Sequence, residues 1–232
     1  MLKLKQPTGT LPIIFLIGVM VLVSSIPAAA DPALHDISSG GLATISSTAF
    51  GGSVISTSNV NANLAVTVNF GEITPINTAP IIRATIPVAI RSRERYQITV
   101  TLTGSVSPDP NAVKLSDIGF GIQNLRSMGS DARPCGINSI IRAPYNNDPT
   151  TSVTINPTTG RAQYPSSLAN IGAGAIVLNG PRLTRNLFIW GRDDDNGYIF
   201  DVILAIVPQW YTSGTFSLTL TFRMSRGPNF NC

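Results

Sequence analysis

The sequence predicts an all-β protein, an antiparallel β-sandwich in preference to a barrel, on three observations. Apolar and polar residues alternate with period two through several segments, the pattern of a half-buried strand. Beyond the first 30 residues nothing recurs at helical spacing over ten or more positions, so the crossover helices that a parallel sheet needs are missing. The connections are dense in turn formers, with 20 Gly and 17 Pro in 232 residues.

Residues 31–62 are small and polar, with Gly40-Gly41 and Gly51-Gly52 around Thr44 to Thr48. They have strand-like composition but a weak apolar face. From Asn63 the alternation sharpens, with Leu64, Val66, Val68 and Phe70 on one face and Asn63, Ala65, Thr67 and Asn69 on the other. Ile82 to Ile90 follows, in which Pro87 predicts an edge or bulged strand because it has no N–H to give a ladder. Tyr96 to Gly104 alternates again. Shorter apolar pieces lie at Ile118 to Leu125, Ser152 to Asn156, Arg161 to Tyr164 and Ala175 to Leu178, each bounded by Pro, Gly or Asn. Leu187 to Trp190 and Tyr198 to Val207 flank Asn196-Gly197, a strong hairpin signal. Thr215 to Met224 closes the series, with Phe216, Leu218, Leu220 and Phe222 facing inward.

Composition sets the outer bounds. The chain is 43% hydrophobic and 12% charged, against about 25% charged in an ordinary soluble domain. That excludes an intrinsically disordered chain, and the length suits one domain with a real core.

Lys3 and Lys5 precede an apolar run from Leu11 to Val23, and Ala28-Ala29-Ala30 follows before Asp31. A run of about 13 residues with these flanks reads as a secretory signal peptide, whereas a spanning helix needs about 20. The expected organisation is a signal peptide over 1–30, a Ser/Thr/Gly-rich arm over 31–62 and a sandwich over 63–232. The exported chain is expected to have no transmembrane segment. The signal peptide holds two of the 16 Lys+Arg and none of the 12 Asp+Glu, which leaves a net charge of +2. A concentrated basic face is therefore not expected, nor is nucleic acid as a partner.

Cys135 and Cys232 both fall in the exported part, where an oxidising compartment favours pairing. One disulfide is expected, with free or intermolecular thiols as the alternative. Closing a loop of about 100 residues contributes up to roughly 4.7 kcal/mol in the chain-entropy description.

Two segments carry a family resemblance. Trp210 to Phe222 is similar to the closing strand of bacterial secreted sandwich domains of the spore-coat-U and fimbrial-subunit type, in which a Gly-x-aromatic turn precedes an alternating Thr-rich strand. Val68-Asn69-Phe70-Gly71-Glu72-Ile73-Thr74-Pro75 resembles an early segment of the same domains. The resemblance implies an immunoglobulin-like sandwich assembled into a surface appendage or coat, with donor-strand exchange between subunits. Residues 31–62, too poor in large apolar side chains to build a core alone, suit the addition of a strand to another sheet edge. A flexible or self-paired arm is the alternative.

Few residues carry chemistry. Asp193, Asp194 and Asp195 beside Asn196 offer hard oxygen ligands, but the spacing departs from the EF-hand pattern and a solvated hairpin tip is the favoured reading; Asp193, Asp195 and Asn196 are the set for Ca²⁺ were a site present. Arg91, Arg93 and Arg95 would share one side of an extended strand, to grip an anionic polymer or to protect a sheet edge. Trp190 sits in an apolar run and reads as core. Trp210 and Tyr211 follow Pro208 and are the candidate aromatic platform for a sugar. No catalytic residues are assigned. The single histidine, His35, lies in the least structured-looking part of the exported chain, and the glutamates Glu72 and Glu94 sit in no recognisable motif.

The expected function is a secreted structural or adhesive surface protein, located in the periplasm, at the cell surface or outside the cell. It would work through contacts with other copies of itself or related subunits. The alternative is a monomeric secreted carbohydrate-binding module that uses Trp210 and Tyr211.

Overall fold

A computed structural model of the chain describes residues 34–46, 52–56, 62–73, 80–104, 109–129, 140–172, 174–183, 196–209, 211–212 and 215–229. In chain order its strands are β1 (His35–Ser39), β2 (Thr44–Ile45), β3 (Ser53–Ser56), β4 (Asn63–Glu72), β5 (Ile82–Ser92), β6 (Tyr96–Thr103) and β7 (Ile118–Met128). They continue with β8 (Ile140–Ile141), β9 (Thr154–Ile155), β10 (Ala162–Gln163), β11 (Ala175–Gly180), β12 (Gly197–Ile206) and β13 (Thr215–Arg226). The only helical pieces among the described residues are 3-10 turns at Leu115–Asp117 and Leu168–Asn170.

The pairing is antiparallel throughout. One sheet runs β1-β5-β12-β7, with β2 also on β5; the other runs β3-β4-β13-β6-β11-β8; β9 and β10 form a separate hairpin. The period-two pattern decides what each strand buries. Leu64, Val66 and Val68 from β4, Ile86, Val88 and Ile90 from β5, Ile98 and Val100 from β6, and Leu220, Phe222 and Met224 from β13 share one core with Phe120, Ile122, Val202 and Leu204. Each such side chain contributes about 1.5–3 kcal/mol when fully buried, so one layer holds the two sheets face to face in a sandwich-like arrangement. The alternate residues face outward, and Thr67 and Thr219 there join hydroxyls at 2.9 Å across β4 and β13.

The Asn69-Phe70-Gly71 segment is a bulge. Register shifts between Thr215 and Ser217, so two β4 residues oppose one on β13; Gly71 takes φ 69° and its N–H donates to Asn69 Oδ1 at 2.8 Å.

β7 explains how loops reach the outer face of its sheet. Its sequence Ile118-Gly119-Phe120-Gly121-Ile122 points three apolar side chains inward and two glycines outward. The space above the glycines is filled: a Cβ on Gly119 would stand 2.6 Å from Pro149 Cβ, and one on Gly121 would overlap the Asn147 carbonyl oxygen and stand 2.8 Å from Pro149 Cδ. On the neighbouring β12, Ile203 and Ala205 are wholly buried although they alternate with the core residues Val202, Leu204 and Ile206. The β7 edge is capped by the same loops, with Ile122 N–H donating to Tyr145 O at 2.8 Å and Phe120 N–H to Ser166 O at 3.0 Å.

The first three strands clip onto both sheets. β1 pairs with β5 from His35↔Ser92 to Ser39↔Val88, β2 pairs at Thr44↔Thr85 and Ile45↔Ala84, and β3 crosses to β4 at Ser53↔Asn69 through Ser56↔Val66. Ile37 is fully buried in the common core. Pro87 sits differently from the sequence expectation, because β5 is paired on both sides and is no edge strand. Its carbonyl accepts from Gly40 N–H at 2.8 Å, so its missing N–H faces the same neighbour. The outer partner breaks there, between β1 and β2. The strain of a proline is met by interrupting its neighbour.

Of two further sequence expectations, one falls outside the described residues and one is corrected. Residues 187–190, the expected partner of 198–207 in a hairpin, lie outside the described residues; β12 itself is paired with β5 on one side and β7 on the other. Arg91, Arg93 and Arg95 do not share a strand face: Arg91 lies in β5, Arg93 and Arg95 in the turn that carries the chain into β6 and the other sheet.

Candidate functional site

Three loops converge at one end of the sandwich. Residues 156–161, between β9 and β10, are shaped by Asn156, whose Oδ1 accepts from Thr158 N–H at 2.8 Å and Thr159 N–H at 3.1 Å. Gly160 closes that turn at φ 67° and donates to Asn156 O at 2.8 Å. Residues 109–117 are fixed at both ends. Asp109 accepts from Asn111 N–H and from the Thr212 hydroxyl, each at 2.8 Å, and these bonds hold its carboxyl below the usual carboxylate range, the Asn111 N–H first. Asp117, 1% exposed, accepts from Lys114 N–H at 2.9 Å and from Arg161 Nη1 at 2.7 Å. Arg161 Nη2 donates to Pro110 O at 2.9 Å, so one guanidinium ties the β9–β10 hairpin to the loop before β7.

The third loop follows β12. Gln209 donates through Nε2 to Gly160 O at 2.7 Å and accepts the Tyr211 hydroxyl at 3.1 Å, and Thr212 N–H donates to Asn111 O at 3.0 Å. Between the loops lie two open recesses. One, of about 490 Å³, is lined by Ser116, Asp117, Thr159, Arg161, Gln163 and Tyr164 among others. The other, of about 480 Å³, is lined by Asn111, Thr159, Gly160, Arg161, Gln209 and Tyr211 with Pro208. Thr159 and Arg161 belong to both and form the ridge between them. Burial pushes the Tyr164 and Tyr211 phenols up, so at neutral pH both are protonated. The arrangement presents donors, acceptors and two half-buried tyrosines without an activated nucleophile.

Of the residues singled out in the sequence, Tyr211 is in this groove, half-buried and packed against the core. Asn196 is elsewhere: it is 4% exposed and its side chain occupies the space above Gly129. Cys135, Cys232, Asp193, Asp195, Trp190 and Trp210 lie outside the described residues. Among the described residues no three His, Cys, Asp or Glu side chains converge on a metal-sized site, and no helix is long and apolar enough to cross a membrane.

His35 is built into the fold rather than placed in a loose arm. It is 4% exposed in β1, with Nδ1 2.9 Å from Ser92 Oγ and Nε2 3.3 Å from Glu94 Oε1, while Arg226 Nε lies 3.4 Å from Glu94 Oε2. Ser92, 1% exposed, donates its hydroxyl to Glu94 O at 2.8 Å. This Ser-His-Glu grouping, with His35 and Ser92 buried and Glu94 26% exposed, joins β1 to the β5–β6 turn. Sequence reasoning also missed the Asp117–Arg161 pair, whose partners are 44 residues apart and carry no local signature.

Comparison with family models, with curated proteins and with solved structures found no match to this chain.

Proposed function

We propose that the protein is an exported structural or adhesive surface subunit, of coat-like or pilus-like kind and immunoglobulin-like sandwich type. It acts through contacts between copies of itself. What supports the reading is the placement of β1, β2 and β3, residues 35–39, 44–45 and 53–56. They lie on the outer edges of β5 and β4 through main-chain ladders, with Ile37, Ile45 and Val54 as apolar anchors on or in the core. A segment that makes such contacts with its own sheets makes the same contacts with another copy's, so exchange between copies loses no interaction and yields an assembly. The signal peptide delivers the chain to an oxidising compartment, where Cys135 and Cys232 form one disulfide that ties the mid-chain to the C-terminus.

Ser38 and Ala89 are register partners between β1 and β5 and make the test direct. In a Cys135→Ser, Cys232→Ser background, Ser38→Cys with Ala89→Cys should give a ladder of covalently linked multiples on non-reducing electrophoresis of assembled material. A monomer band alone, in every fraction, would sink strand exchange.

A further inference from the structure

We infer that the double recess around Arg161 is a binding site for a neutral glycan, with Arg161, Gln209 and Asn111 as its hydrogen-bonding groups and Tyr211 and Tyr164 as its apolar walls. The inference does not rest on self-assembly: a subunit and a monomer would present the same groove.

Charge and hydrogen-bond accounting together select the ligand class. Asp109 and Asp117 oppose Lys114 and Arg161 in these loops, and the Arg161 guanidinium is already neutralised by Asp117 at 2.7 Å. A phosphate or sulfate would meet no surplus positive charge and, in the first recess, would face the Asp117 carboxylate. What remains are oriented polar groups of balanced charge. Gln209 uses one N–H on Gly160 O and one lone pair on the Tyr211 hydroxyl, which fixes the amide's orientation and leaves its other N–H and lone pair uncommitted among the described residues. Arg161 commits two N–H donors, to Asp117 and to Pro110 O, and keeps the rest. The exposed Asn111 lies beside them, its main chain pinned by Asp109 and Thr212. The Gln209 and Asn111 amides both donate and accept, with that of Gln209 held in one orientation, and so match vicinal hydroxyls, which also do both. The two tyrosines supply surface for the apolar faces of sugar rings. Recesses of about 490 and 480 Å³ on the two sides of the Thr159–Arg161 ridge give room for more than one ring, so the site fits an oligosaccharide rather than a single sugar.

The test is titration calorimetry of the full exported protein with cellopentaose, maltopentaose, mannopentaose and chitopentaose, and with a sulfated heparin pentasaccharide as the anionic probe. The expected result is saturable binding of at least one neutral pentasaccharide and none of the sulfated one. Gln209→Glu and Asn111→Asp should each weaken that binding about tenfold or more, because each isosteric change removes an N–H donor and adds a charge. Ser127→Ala, in the exposed half of β7, should leave it unchanged, and thermal melting should show all three variants folded. No binding of any neutral probe, preference for the sulfated probe, or neutral binding indifferent to both groove variants would overturn the assignment.

Discussion

Ile37→Ala tests whether the first strand is a structural part of the sandwich. Ile37 is fully buried, its strand runs beside β5, and β1 packs against β4 and β13 of the opposite sheet. The change removes the branch carbons of isoleucine, about 2–2.5 kcal/mol of transfer free energy at about 0.8 kcal/mol per carbon, and leaves a cavity where the sheets meet. The expected loss is about 3–4 kcal/mol, within the range for buried Ile→Ala. For a domain of this size that corresponds to a Tm lower by roughly 6–16 °C. The assay is equilibrium denaturation with thermal melting, at protein concentrations low enough to keep the chain monomeric. The midpoint should fall while the denaturant slope stays constant. A loss below about 0.5 kcal/mol, the level of an ordinary surface change, would mean that β1 is not docked in the core and would remove the basis for treating it as a transferable anchor.

Other outcomes follow from particular contacts. Gly121→Ala should cost about 1–3 kcal/mol or more, because the new Cβ overlaps the Asn147 carbonyl, and denaturation should show the loss even though Ala suits a strand better than Gly; an unchanged midpoint would refute the loop packing on β7. Asp117→Asn should cost about 2 kcal/mol, less than the loss of a wholly enclosed pair because Arg161 is 29% exposed, and amide exchange in residues 156–163 should quicken with it. Alkaline stability has a defined sign. Burial raises the Tyr164 and Tyr211 phenols above their ordinary value near 10, so the folded chain holds protons that the unfolded chain releases. Their contribution is complete below about pH 10 and is lost as pH rises above it; Tyr164→Phe should flatten that decline, and an unaltered slope would contradict the assignment.

The fold was legible where one physical rule dominates, and obscure where partners are distant. Alternation in β4, β6 and β13 encodes a buried face strand by strand, since the side-chain period is two whatever the neighbour. Which strands are neighbours is a long-range matter. Nothing local in Tyr198 to Ile206 says that β5 and β7 fill both of its sides. Pro87 was informative about strain but not about its location, because the disruption falls on the N-terminal partner and not on β5. The Ser/Thr-rich start of the chain has weak periodicity because its strands are short and on the edges, with Ile37 alone in β1 reaching the centre. The groove is built from three loops whose main chains are set by Asn156, Asp109 and Gln209; of its residues only Tyr211 announced itself, through its neighbourhood to Pro208. Arg161 and Asp117 become a pair only when the loops fold together.

The measurement that bears most directly on the central claim is the mass distribution of the native exported protein, by gel filtration with light scattering and by electrophoresis with and without boiling. Assembly through exchanged N-terminal strands predicts a series of subunit multiples that survives detergent, collapses on boiling and disappears when residues 31–60 are deleted. A single monomeric species at all concentrations, or multiples that persist in the deletion variant, would contradict it.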